Sequence, residues 1–140
     1  MIHDSTYIDP ELKRKIEKEV GEAFGLRKKL SGEPIGSHRM LIEKSSAGFE
    51  KILEKATGLV YCNIELRPIG VILHFNVKNT RYSWVIPFRK LTLYDTEIFS
   101  FHADGEFMQF HKDHYWALNK KFLRNMMTRR AEYLERFQMP

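Results

Sequence analysis

Three of the chain's six histidines and two of its aspartates fall within residues 100 to 116, SFHADGEFMQFHKDHYW. Side chains of these types in such density are what a metal centre or an acid/base pair requires. The spacing argues against the simplest version. Asp104-Gly105 is a two-residue hairpin signal, and it would pair His102 with Phe107 and His111 with Ile98, four residues further along the ladder. At about 3.3 Å per residue, His102 and His111 then stand roughly 13 Å apart. A shared transition metal needs both nitrogens at about 2 Å. What remains is a corner of His111, Asp113 and His114 between a strand and a helix, where a metal-dependent hydrolase is the least favoured of three readings. The favoured local reading is an Asp-Gly turn with histidines at strand ends, and no metal or cofactor is assigned.

Cys62 is the chain's one cysteine, so no intrachain disulfide and no cysteine-based zinc site can form. It alternates with apolar neighbours in VYCNIEL, the position of a buried, inert thiol rather than a nucleophile. No nucleophile elbow, phosphate loop, dinucleotide fingerprint or H-E-x-x-H is present. Catalysis is therefore not supported.

The elements that must position any site follow from the periodicity. DPELKRKIEKEVGEAFGLRKKLSGEP reads as one helix over residues 9–31, with Asp9 as N-cap, Pro10 at the first turn and Gly32 and Pro34 as stops. Leu12, Ile16, Val20, Ala23, Phe24 and Leu30 form its apolar stripe, while Gly21 and Gly25 weaken its middle by about 1 kcal/mol each. SHRMLIEK reads as a strand or as part of a helix, and a short helix follows near residues 46–56. From residue 59 the apolar period changes from about 3.6 to 2. Six segments joined by short turns then form an antiparallel meander, because short turns join only antiparallel neighbours. Pro87 belongs at a strand end, edge or bulge. A helix over residues 115–137 closes the chain, and it is the candidate cover for the open side of the sheet. Arg130 and Asn119 fall inside its apolar arc, so Arg130 snorkels, pairs with a sheet carboxylate or serves a ligand.

At 140 residues, 43% apolar and 29% charged, the chain reads as a single domain, 1–140, with a core of its own. No apolar run approaches the roughly 18 residues of a membrane span. The start, MIHDSTYIDPELKRK, lacks an apolar signal region, so neither insertion nor export is expected. A reducing cytoplasm is the simplest location. The net charge of +5 is concentrated at the two ends: residues 10–31 hold seven Lys/Arg against four Glu, and residues 112–137 hold seven against three Asp/Glu. Such faces are either solvated or an electrostatic footprint for phosphates. Ten of the 18 aromatic residues lie between Tyr82 and Trp116, more simply placed in a core than in a base-stacking sheet.

A strand meander closed by one long C-terminal helix resembles the pleckstrin-homology-like (PH-like) superfold. SWVIPFRKLTLY, residues 83–94, is similar to the segment of bacterial PH-like domains in which a strand ends in an Ile-Pro-aromatic step. The resemblance covers about residues 38–137. It implies an α+β fold, a six- to seven-stranded meander or partly open barrel closed by the C-terminal helix, here with an additional N-terminal helix. It also implies a non-catalytic binding module. In lipid-binding members, basic residues after the first strand grip inositol phosphates; here that loop has only Lys44, Lys51 and Lys55, so a protein or peptide partner is expected instead. Lys78 and Arg81, flanking the next rim turn, are the candidate ligand-binding residues. Phosphate or nucleic-acid binding through the basic helices is the alternative, and self-assembly into a homo-oligomer is left open.

Overall fold

A computed structural model describes residues 2–138. In chain order the elements are β1 (Ile2–Asp4), α1 (Pro10–Val20), α2 (Leu26–Leu30), β2 (Met40–Ser45), α3 (Ala47–Leu53), β3 (Tyr61–Arg67), β4 (Gly70–Val77), β5 (Thr80–Pro87), a 3₁₀ turn at Phe88–Lys90, β6 (Thr92–Asp95), β7 (Phe99–Ala103), β8 (Glu106–Phe110), α4 (His114–Ala117) and α5 (Lys120–Gln138). The class is α+β. All strands belong to one antiparallel open sheet in the order β1-β5-β4-β3-β2-β8-β7-β6, so the six segments expected as one meander are two three-strand meanders, β3–β5 and β6–β8, because the chain leaves β5 through the 3₁₀ turn and β6 pairs only with β7.

Eight strands stand where six to seven were expected. The eighth is β1, whose three residues carry no readable alternation; it exists because the edge of β5 offers partners, Ile2 to Trp84 and Asp4 to Tyr82. SHRMLIEK does supply a strand. β2 pairs first with β3 through Met40 and Leu41, then with β8 through Ile42 to Ser45, with the register shifting at Glu43. An extra residue in one strand bends it, and this bend joins the β3–β5 wing to the β6–β8 wing.

Alternation decides which side chains go inside. Cys62, Ile64 and Leu66 of β3, Val71, Leu73 and Phe75 of β4, and Trp84 and Ile86 of β5 are buried together with Phe99, Phe101, Met108 and Phe110 of the other wing. Phe49 of α3 closes one end of this core, edge-on to Trp84 with ring centroids 4.8 Å apart. Phe122, Leu123 and Met126 of α5 complete it.

α1 packs on the opposite face of the sheet, where Ile16 and Val20 meet Ile72 and Val85 in a second, smaller cluster. Asp9 caps it as expected, its carboxylate accepting from the Leu12 N–H at 2.8 Å. The helix expected over residues 9–31 is nevertheless two helices. Gly21 ends the first at φ 88°, a conformation open to glycine at little cost, and Pro68 lies where a Cβ would stand, at 3.1 Å. Leu26 and Leu30 of α2 face solvent, so the single apolar stripe does not survive the break.

The C-terminal helix is interrupted as well. α4 ends at Ala117 and α5 starts at Lys120. The cause is Asn119, fully buried, whose side chain serves residue 38. Leu118, at the break, is exposed.

Candidate functional site

The three histidines of residues 100–116 go to three different surroundings. Asp104 and Gly105 form the two-residue turn, at φ 53° and 78°, and His102 pairs with Phe107. The His102 ring stacks on Phe107, lies edge-on to Tyr94 and has Nε2 3.1 Å from Ser100 Oγ. Burial holds its pKa below the usual imidazole value. His111 Nδ1 lies 3.6 Å from Glu43, and His114 packs edge-on to Tyr115. Asp113 is occupied as the α4 cap, accepting from the Trp116 N–H at 3.1 Å. Among the described residues, no three His, Cys, Asp or Glu side chains are grouped so as to hold a metal ion.

The two-residue turn between β4 and β5 is Lys78 and Asn79, so Lys78 lies within the turn, at φ 56°, rather than beside it, and Arg81 is the second residue of β5. Lys78 and Arg81 are both exposed. The backbone of Arg81 is held by the N-terminal segment: its carbonyl accepts from the Ser5 N–H at 2.7 Å and its N–H donates to Thr6 Oγ1 at 3.0 Å. Arg130 settles on the carbonyl of Leu91, to which Nε and Nη2 donate at 3.1 and 2.7 Å. Cys62 is fully buried, and burial pushes its thiol pKa far up.

A polar relay that periodicity alone did not single out crosses the outer face of the sheet. Glu65 Oε1 lies 2.9 Å from His74 Nε2, His74 Nδ1 lies 2.7 Å from Ser83 Oγ, and Ser83 Oγ lies 2.6 Å from Ser5 Oγ. Arg67 Nε donates to the other Glu65 oxygen at 2.5 Å. Burial pushes the Glu65 carboxyl pKa up, but hydrogen bonds from His74 and Arg67, with their charge, outweigh it and hold the group at about 2. Serine, imidazole and carboxylate in line are the parts of an acyl-transfer site, yet a nucleophile must meet its substrate. Ser83 and Ser5 are only 1% and 2% exposed. In this arrangement the relay fastens β1 to the sheet. Its signal in the sequence was the shared polar phase of Glu65, His74 and Ser83 on adjacent strands.

A candidate ligand groove lies between the end of β6 and α5. β6 is the last strand of the sheet, paired with β7 alone. At its Asp95 end opens a groove of about 190 Å³ lined by Asp95, Phe99, Trp116, Lys120, Leu123, Arg124 and Met127. Lys112 pins its upper corner, donating to the Asp95 carboxylate and to the Thr96 carbonyl while lying 4.8 Å from the Trp116 ring centre. Trp116 Nε1 is buried and has no hydrogen-bond partner, the one such side-chain atom among the described residues. A buried donor left unmade costs about 1–3 kcal/mol, so its position in a groove wall is informative. Tyr94 and Met127 are exposed beside it. A larger hollow of about 400 Å³ opens where β2 leaves β3, lined by Glu43, Glu50 and Glu54 among others, without an unpaired buried group. No described helix is long and apolar enough to cross a membrane.

No family model, curated protein or solved structure matches the chain.

Proposed function

We propose that the chain is a non-catalytic, PH-like binding module of the cytoplasm that takes an extended peptide segment of a protein partner as an added strand on β6. The observation that carries this reading is the unpaired β6 edge with, at its Asp95 end, a groove lined in part by Trp116, whose buried indole N–H has no partner. An exposed edge offers a row of main-chain donors and acceptors, and pockets beside it select alternate side chains of the added strand. Phe99, Leu123 and Met127 suit an apolar side chain, and Lys120 and Arg124 favour an acidic one. The PH-like description is supported by two wings joined through β2 and β8, with α5 packed against the core between them.

Binding of nucleic acid by the basic helices is less favoured, because part of that charge is already paired. Lys13 meets Glu17, Lys15 meets Glu11, and Lys28 and Arg129 meet Glu33.

Selection of displayed random peptides against the intact protein, followed by amide and indole chemical-shift mapping, tests the reading. Selected peptides are expected to shift Thr92–Asp95, Lys120–Met127 and the Trp116 indole resonance. Peptides that bind elsewhere, or duplex DNA that shifts the helices while no peptide is enriched, would overturn it. Perturbation of β6 by the protein itself at rising concentration would replace the peptide with a second copy.

A further inference from the structure

Arg39 is an exposed cation stacked on two tyrosine rings, and among the described residues no carboxylate pairs with it. Its guanidinium carbon lies 4.3 Å from the ring centre of Tyr61 and 4.4 Å from that of Tyr115. The two rings are edge-on to one another, 5.8 Å apart, so the guanidinium occupies the notch between them. Nη2 donates to the Tyr115 hydroxyl at 2.6 Å. That hydrogen bond leads the causes that keep the Arg39 pKa raised.

The main chain on both sides is fixed too. Asn119 binds both backbone groups of His38, and Met40 is fully buried. Three segments thus converge on one surface arginine: the loop before β2 carries it, while β3 and α4 supply the rings.

An arginine side chain gives up rotamer entropy when it is fixed. Elsewhere in the chain a fixed arginine has an acceptor: Arg67 has Glu65, Arg129 has Glu33, and Arg130 has a carbonyl. Arg39 has only a neutral phenol, and among the described residues it makes no ion pair. Stacked and oriented, it presents its remaining N–H donors to solvent as a preformed fork.

The surroundings say which acceptor fits. The Tyr115 hydroxyl accepts from Arg39 and so keeps its own hydrogen to donate. His114 is exposed with its ring 5.6 Å from that of Tyr115, and His38, the residue before Arg39, is exposed as well. Of the nearby carboxylates, Glu43 faces His111 and Asp113 caps α4. Several donors around one fixed guanidinium suit an anion with three terminal oxygens and a charge near −2 better than a carboxylate with two oxygens and one charge. We propose that Arg39, clamped between Tyr61 and Tyr115, is the anchor of a binding site for a phosphate monoester. The site is separate from the β6 groove and does not depend on it.

The test is a titration of the intact protein with phenyl phosphate, inorganic phosphate and acetate, read at the Arg39 Nε–H and the Tyr61 and Tyr115 ring resonances. Saturable shifts with both phosphates and none with acetate at equal concentration are expected. Arg39→Gln should abolish them. Arg39→Lys, which keeps the charge but not the fork, should weaken binding by about tenfold or more, the scale of one lost charge-assisted hydrogen bond. Tyr115→Phe, which keeps the ring and removes the hydroxyl, should weaken it less. Tighter binding of phenyl phosphate than of inorganic phosphate would assign the site to a phosphate carried on a larger molecule, and equal binding to the free anion. Shifts that persist in Arg39→Gln, an acetate response equal to that of phosphate, or no saturation with either phosphate would overturn the proposal.

Discussion

Asn119, completely buried at the junction of α4 and α5, holds both backbone groups of His38, accepting its N–H at 2.7 Å and donating to its carbonyl at 3.1 Å. The same amide also donates to the Tyr115 carbonyl at 3.1 Å. One side chain therefore ties the loop before β2 to the end of α4. Asn119→Ala is expected to cost about 1–3 kcal/mol, since the groups it served lose their partners. The loss should appear in urea unfolding as a lower midpoint, and the Arg39 Nε–H resonance should broaden as its main-chain support is released.

Acid should weaken the fold through two carboxylates. Lys28 above all holds the Glu33 carboxyl down to about 2, against burial and with help from Arg129 and Asn125; Glu65 is held at about 2 by His74 and Arg67 against burial. Both values lie below the roughly 4.3 of an unfolded glutamate. The unfolded chain therefore binds protons first, so these contributions are complete above about pH 4.3 and are lost as the pH falls towards 2. Urea midpoints measured from pH 6 to pH 2 should drop across that window. Glu33→Gln and Glu65→Gln should each start lower and fall less.

Gly70 marks the closest approach of α1 to the sheet. A Cβ there would stand 2.5 Å from the Ile86 carbonyl oxygen and 2.5 Å from Val20 Cγ1. The first neighbour is backbone and cannot rotate away. Gly70→Ala should destabilise by about 2–3 kcal/mol, the upper part of the overpacking range, and thermal unfolding should show it. An unchanged melting temperature would mean that α1 docks less closely than described.

Trp116 separates stability from binding. Trp116→Phe removes ring volume but also deletes the buried N–H that has no acceptor, so the two effects oppose one another. The variant is expected to lie within about 1 kcal/mol of the parent in urea unfolding. A peptide selected for the β6 groove should bind it less tightly, which isothermal titration would measure.

Local signals were legible wherever a few neighbouring residues decide the outcome. Asp9 caps α1 and Asp104-Gly105 makes a hairpin turn because each acts on backbone within three residues of itself. The alternation from Tyr61 to Phe110 marked which side chains enter the core. The helix breaks were visible only as weak points: Gly21 lowered helix propensity, but Pro68, which sits against it, is far away in sequence. Asn119 looked like a polar residue misplaced in an apolar arc, and His38, its partner, is 81 positions away. Neither the β6 groove nor the Arg39 clamp could be read from spacing, since each is assembled from elements that meet only when the sheet folds over.

By itself, then, the amino-acid order determined the antiparallel hairpins of β3–β5 and β6–β8 and their inward face, the helical character of both ends and the inert setting of Cys62, but not that β2 would stand between the two sets. All of these follow from periodicity and from local backbone preference. Only the tertiary structure decided that Ile2–Asp4 would become an eighth strand, that Glu65, His74, Ser83 and Ser5 would join in one relay, and that Tyr61 and Tyr115 would close on Arg39. Those outcomes depend on which distant groups are left with an unpaired edge, an unmet donor or an open ring face once the core has formed.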